Sequence, residues 1–519
     1  MTNVEELDPA RTGAVPGPKT RHPGWALVLI CLAQLMVVLD STIANIALPY
    51  IGDDLKIDAT NLSWVVTGYA LTFGGLLLLG GRLGDLYGRR RVFMAGVTLF
   101  AVASALGGIA QNEAMLLGSR GLQGVGAALA SPTALALITT TFPAGPQRNR
   151  AFSVFAAMSG IGAAIGMILG GWLTDLDPAW GWRLTFLINV PIGLTAAVLA
   201  PRLLPDTDHH AGTLDLPGAI LGTGGLLALV FGITRTSNVD PGTVTALNPA
   251  GTTYGWGDPV ALTAMIAGVV ALVVFILAET RVKHPLLPLS IFASRNRAVA
   301  FVCSMIAPAA MFAMFFFLSL YIQNVMGYSP LRAGFAFLPF TVGMVSGATA
   351  ATKLISRVDP RFIAGIGSML AGAALFFFSR LEFGHENYWT DIMPFVLLMS
   401  LGMGMTFVSM TLVAVHGVRT EDAGIGSGVL NTMQQVGGAL GLATLSAVAS
   451  HYSVDKLAEL AKSRPDNPGI GLEAFADGAT HAFLVGAFMI WTTSVIVWLL
   501  LNVKHTEIGE EAPEGVHVG

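Results

Sequence analysis

Residues 80–91 read GGRLGDLYGRRR and lie between two apolar runs, 62–79 and 92–110. Each run is long enough to cross a bilayer as a helix, so the stretch is a tight cationic hairpin joining two spans. Gly81, Gly84 and Gly88 ease the backbone where two helices must reverse direction closely, and Arg82, Arg89, Arg90 and Arg91 surround the single carboxylate of Asp85. Arginines packed this close to membrane ends mark the cytoplasmic side. Any membrane protein needs basic inside loops, but that need leaves the buffered Asp85 and the glycine spacing unexplained.

The composition agrees with a chain built to live in lipid. Of 519 residues, 53% are hydrophobic and only 12% charged, about half the charged fraction of a soluble domain. The formal net charge of -4 says little, because the distribution of charge carries the information in such a chain. No nucleic-acid partner is implied. Cys31 and Cys303 both fall inside apolar runs and read as small apolar side chains rather than a disulfide. The polar start, residues 1–22, is too long and too weakly basic for a signal peptide, so the run after it is expected to be a retained first span.

Apolar stretches at 25–50, 62–81, 92–110, 115–141, 151–173, 184–204, 216–234, 259–278, 298–322, 332–352, 362–379, 392–415, 425–449 and 481–502 give about fourteen spans of the usual length. An even number puts both termini on one side. With that side cytoplasmic, the inside segments hold most of the 28 basic residues, among them Arg11, Lys19, Arg21, Arg281, Arg297, Arg361, Arg419 and Lys504. The expected plan is a tail 1–23, a six-helix bundle 24–204, a linker with two extra helices 205–285, a second bundle 286–503 and a tail 504–519. Paired six-helix halves are a recurring transporter plan with the substrate site between them. The loop around Lys353, Arg357 and Arg361 is a glycine-poor echo of the first hairpin. Residues 451–480 read as a long polar outside loop, solvated like the acidic C-terminal tail.

Polar residues within the spans carry most of the chemistry. Asp40 lies roughly 15 Å from the outer end of the first span at Tyr50. A carboxylate at such depth costs about 2.5 to 3.5 kcal/mol on insertion scales and needs a cavity or a partner, which makes it a candidate proton carrier. Arg120, the one basic residue placed inside a span, lies about 10 Å in from Glu113, in the same half of the membrane. Arg120, Gln123, Gly124, Ala127 and Ser131 share a helix face that is expected to line the interior. Asp40 and Arg120 fit a proton-exchanging pair and equally a static ion pair that fixes helix register.

Further along, Gly162, Gly166 and Gly170 form a four-residue stripe that allows close helix approach. Gly424, Gly428, Asn431, Gln435 and Gly438 share a face whose amides can serve a ligand or a neighbouring helix. The ninth span is rich in Met311, Phe312, Met314, Phe315, Phe316, Phe317 and Tyr321, which suits either an adaptable apolar ligand surface or packing. Gln123, Phe312, Phe316, Asn431 and Gln435 are the candidate cavity residues. No G-x-x-x-x-G-K-[ST] run occurs, so ATP is not the expected energy source, and no cofactor or metal site is expected.

At these residues the chain resembles the fourteen-span drug and proton antiporters of the major facilitator superfamily. Gly81 to Arg90 resembles that superfamily's first loop signature, with Asp85 and Arg89 at the gating positions and Gly88 and Arg90 beside them. Leu86 departs from an arginine common there. Leu39 to Pro49, LDSTIANIALP, resembles the first-span signature of the fourteen-span branch, with Asp40 at its acidic position, and Arg120 to Ala128, RGLQGVGAA, resembles the fourth-span signature associated with proton coupling. The fifth-span signature usually holds a glycine-proline pair, where this chain has Gly166-Met167, so a kink there is not assured.

The resemblance implies an all-α polytopic membrane protein of the plasma membrane, and export of hydrophobic or cationic organic compounds in exchange for protons, with substrate, protons and membrane lipids as its partners. Asp40→Asn is then expected to abolish pH-driven transport and leave folding largely intact. A pH-independent lipid or metabolite translocator keeps the same fold, as does a non-transporting sensor. An enzyme needs a constellation of His, Cys or paired acids that the spans do not offer.

Overall fold

The computed structural model describes residues 22–143, 145–177, 179–206, 212–244, 251–283, 285–417, 423–464 and 467–510. Arg11, Lys19 and Arg21 in the first tail, Arg419 and the acidic Glu511 and Glu514 lie outside the described residues. Among the described residues, thirteen helices are long and apolar enough to cross a membrane. They are α1 (Pro23–Leu55), α2 (Trp64–Tyr87), α3 (Arg89–Gly108), α4 (Glu113–Thr141), α5 (Pro146–Asp175), α6 (Gly181–Leu203), α7 (Leu216–Ser237), α8 (Pro259–Glu279), α9 (Arg295–Val325), α10 (Pro330–Leu354), α11 (Pro360–Phe378), α12 (Tyr388–Val415) and α14 (Ile470–Leu500). The fourteenth, α13 (Ala423–Ser463), carries Asn431, Gln434 and Gln435 in its membrane half. Every expected span corresponds to one of these helices.

Alternation of direction gathers the Gly81–Arg90 hairpin and the chain ends at one end of the bundle, here termed the basic end. Cross-links within each end agree. At the basic end Arg90 bonds Leu204 and Asp206, and Asn296 donates to the backbone of Asn502. His505 lies against Asp359 there, with Nδ1 2.9 Å from Oδ1, and its hydrogen bonds hold the Asp359 carboxyl below the usual carboxylate range. At the far end Arg183 bonds Asp54, and Tyr321 donates to Glu386.

The first six helices pack against one another around Tyr69, Phe73, Phe93, Phe100 and Ala127, while another apolar cluster gathers Phe301, Cys303, Met410 and Val497 from the last six. A larger cluster crosses between the two groups near the far end. Small residues set the closest approaches. A Cβ at Gly80 would strike the carbonyl oxygen of Ala128, so α2 and α4 touch backbone to backbone. The inserted pair α7–α8 packs side by side, and α7 makes the extensive contact with the bundle: Thr223 lies against Gly75 of α2, and Ser450 of α13 donates to Ser237.

Two segments differ from the sequence expectation. The hairpin is not a loop over 80–91: α2 stays helical to Tyr87 and α3 starts at Arg89, so the reversal rests on Gly88, whose φ of 93° is left-handed territory. Residues 451–463 and 470–480 are helical rather than a solvated loop. The helix α13 continues to Ser463 and α14 begins at Ile470, and Leu460, Ala474 and Ala476 are buried there. Tyr452 stacks on His481 at 3.8 Å between ring centres, Arg464 bonds Glu473 at 2.7 Å, and Gly478 lets Ser453 and Ala449 approach. Hydropathy marks only the part of a helix that meets lipid, and this hairpin stands beyond it.

Candidate functional site

Five helices of the first group converge on Asp40 and Arg120. Asp40 is 2% exposed and Arg120 is fully buried. The guanidinium donates from Nη1 to Asp40 Oδ2 at 2.5 Å and to Gln123 Oε1 at 2.8 Å, and from Nε to the backbone oxygen of Val65 at 2.7 Å. The other oxygen of Asp40 accepts from Gln123 Nε2 at 2.8 Å and from Asn189 Nδ2 at 3.0 Å. Gln123 donates further to Ser104 at 2.7 Å. Tyr69 and Phe186 close the cluster, their ring centres 4.5 and 5.7 Å from the guanidinium carbon. A charge pair moved out of water survives when its remaining hydrogen-bonding groups are met, and here nearly all are.

Two atoms are not. Arg120 Nη2 and Asn189 Oδ1 are buried without a partner among the described residues. A donor and an acceptor left over in one cluster mean that a second pairing pattern is open to the same side chains. Asn189→Ala removes a hydrogen bond to a charged group and is expected to cost about 1.5–3 kcal/mol, read as a lower unfolding temperature of the purified protein.

The sequence singled out Asp40, Arg120 and Gln123 of this cluster and missed Ser104, Asn189 and Tyr69. Asn189 was visible as an amide inside an otherwise apolar run, LTFLINVPIG. Gln123 was expected in a substrate cavity, yet both ends of its amide are taken up by the ion pair and Ser104, and it is fully buried.

The other candidate residues lie elsewhere. Phe316 is 2% exposed and packs edge-on to Phe317 within the apolar cluster shared by the two groups. Phe312 is half-buried where α9 meets Gly438 of α13. Asn431 is exposed and Gln435 half-buried on α13, with Gln435 against Gly74 of α2. The Gly162, Gly166 and Gly170 stripe faces α1, against Leu35, Thr42 and Ile43, on the same helix as Asp40.

At the basic end Arg89 grips Asp85 Oδ1 at 3.1 Å and reaches the Ala136 carbonyl of α4 at 3.3 Å. Arg90 donates to Leu204 O at 3.2 Å and Asp206 Oδ2 at 2.7 Å. Gly84 sits against Thr133, and Gly81 is in ordinary contact with Pro132 at 3.7 Å. Apart from Leu204 and Asp206, which follow α6 directly, these partners belong to the first six helices.

Contacts between the two helix groups are uneven along the bundle. Towards the far end Ser319 donates to Asn45 O at 2.9 Å and Gln323 to Ile46 O at 3.1 Å. There Gly171 of α5 meets Pro330, and Gly334 of α10 meets Met167. On the α5 side, residues 153–158, 160 and 161, nearer the basic end, are largely exposed. The α2–α13 seam stays closed, with Thr432 bonded to Gly74 O at 3.1 Å and Gly428 against Leu78.

Residues 30–442 match the Major Facilitator Superfamily. The chain belongs to this superfamily. It is similar along nearly its whole length to the puromycin resistance protein of Streptomyces alboniger, 40% identical with 97% of this chain and 96% of that one covered. It is 36% identical to the cephamycin export protein of Amycolatopsis lactamdurans, over 90% of this chain and 92% of that one. Among solved structures, a bacterial homologue of the human lysosomal transporter Spinster, inward-facing and unoccupied, shares the major facilitator fold. The TM-score is 0.62 at 15% identity, over 95% of this chain and 98% of that one. The protein is thus a multi-pass membrane transporter of the major facilitator type.

Proposed function

We propose that the protein exports hydrophobic or cationic organic compounds, drugs or natural products, across the plasma membrane in exchange for protons. The observation that carries this reading is likeness over the full chain to proteins named for resistance to, and export of, chemically unrelated antibiotics. The basic end is cytoplasmic by its arginines, so both termini are too. Asp40 exchanges the proton, and Arg120, Gln123 and Asn189 hold its carboxylate between exchanges. The leftover donor and acceptor supply the alternative pairing that an exchange needs.

The bundles 24–204 and 286–503 rock about the seam between them, with residues 205–285 as an added strap. On the α5–α10 side, contacts at the far end and exposure of α5 nearer the basic end support a state open to the cytoplasm, while the α2–α13 seam stays closed. In the opposite state the hairpin Gly81, Asp85, Gly88, Arg89 and Arg90 exchanges its partners within the first bundle for ones across the seam. Phe312, Asn431 and Gln435, on the two helices of the second bundle that border α2 at that seam, are the residues left to meet substrate.

The test is flux in proteoliposomes under an imposed pH gradient, with a panel of fluorescent cationic dyes and labelled lipids. Dye movement that follows the gradient is the expected result. Lipid movement indifferent to pH would replace the antiporter reading with a translocator.

A further inference from the structure

A pair of acids outside the Asp40 cluster occupies the base of the inserted helices. Asp215 caps α7, its Oδ1 accepting from Gly218 N at 2.9 Å. Glu279 ends α8, its Oε2 accepting from Leu287 N at 3.0 Å on the strand of chain that leads into the last six helices. Asp215 is 6% exposed and Glu279 4%. Their remaining oxygens, Asp215 Oδ2 and Glu279 Oε1, are both buried and meet no donor among the described residues. Both flank one spot: a Cβ at Gly218 would touch Asp215 Oδ2 and lie 2.9 Å from Glu279 Oε1.

The described residues around the pair offer no cation to resolve this. Neither carboxyl forms an ion pair with a basic side chain among the described residues. Arg281 and Lys283, next along the chain, are exposed. On α2, Arg82 lies near Gly212 and Asp85 is taken by Arg89. Backbone N–H groups serve the outer oxygens. Two ionised carboxylates are acceptors only, so the facing oxygens can bond to each other only if one carries a proton. The two free oxygens flank the same point beside Gly218, so a shared proton is what would join them.

We propose that Asp215 and Glu279 bind one proton between them and so form a pH-sensitive latch at the base of α7–α8. Its place gives it reach. Asp215 ends the link from the first six helices, and Glu279 holds the link to the last six. From that base α7 runs up the seam, touching α2 at Gly75 and α13 at Ser450. A proton held below keeps the strap closed on itself. Loss of the proton sets two buried negative charges against each other and loosens the strap from its base upward. The inference rests on the fold and the family, and not on proton exchange at Asp40.

The test uses the full chain in lipid nanodiscs, with Glu279→Gln and, separately, Asp215→Asn. Both replacements are neutral and of the same shape, and Asn caps a helix as well as Asp does. Infrared spectra of the wild type recorded against pH should show a protonated carboxyl stretch that is lost on alkalinisation and missing from each variant. The folded latch needs the proton and the unfolded chain does not, so the wild type should lose thermal stability as pH rises, with a smaller loss in Glu279→Gln. An unchanged carboxyl band in Glu279→Gln, or an identical fall of stability with pH, overturns the proposal. So does recovery of wild-type stability at high pH on adding magnesium, which would make the pair a cation site.

Discussion

Asp40→Asn is expected to abolish gradient-driven export in proteoliposomes, taking flux under an imposed pH gradient down to the level seen without one. The amide cannot exchange a proton in the working range, and no other acid lies in this cluster. The geometry changes the second half of the expectation drawn from sequence, that folding would be largely intact. Asp40 accepts from Arg120, Gln123 and Asn189 together. An asparagine brings one donor into that ring of donors and leaves the guanidinium uncompensated among Tyr69 and Phe186, so stability must fall as well. Adding Arg120→Gln separates the two effects. The doubly neutral variant should recover stability relative to the sum of the single changes, because the sites touch, yet remain uncoupled. Gradient-driven flux in either variant would remove Asp40 from the mechanism.

Arg120→Leu should be the most destabilising single change in the first bundle, by about 3–5 kcal/mol, because it strands a carboxylate in the protein interior. It also removes a donor to the carbonyl of Val65 and one bond of Gln123. Thermal unfolding of the detergent-solubilised protein reads this as a large drop in midpoint, and Asp40→Asn in the same chain should reverse part of it. A loss below about 1 kcal/mol, typical of an exposed pair, would mean that water reaches the cluster.

The hairpin, the helix count and the depths of Asp40 and Arg120 were legible because each depends on local quantities: run length, rise per residue and clustered arginines. Partners were less so. Asn189 and Asp40 are 149 residues apart, and periodicity says which face a residue occupies but not what stands opposite. That is why Gln123 was assigned to a cavity on the strength of an amide on a small-residue face, and why the packing of Phe316 against Phe317 could not be read from its type. The Asp215–Glu279 pair escaped notice for the same reason. Each acid looks like an ordinary end-of-helix charge until α7 and α8 are laid side by side.

The hairpin of α13 and α14 has a use in measurement. At 41 residues, α13 is about 60 Å long, roughly twice the hydrocarbon thickness of a bilayer. The part beyond the lipid is one rigid piece with the membrane part, braced by Tyr452 on His481 and Arg464 on Glu473. A small tilt of the last six helices is therefore magnified at its tip, as by the arm of a balance. A fluorophore or an antibody fragment fixed there would follow each turnover from the aqueous side without entering the route taken by the cargo.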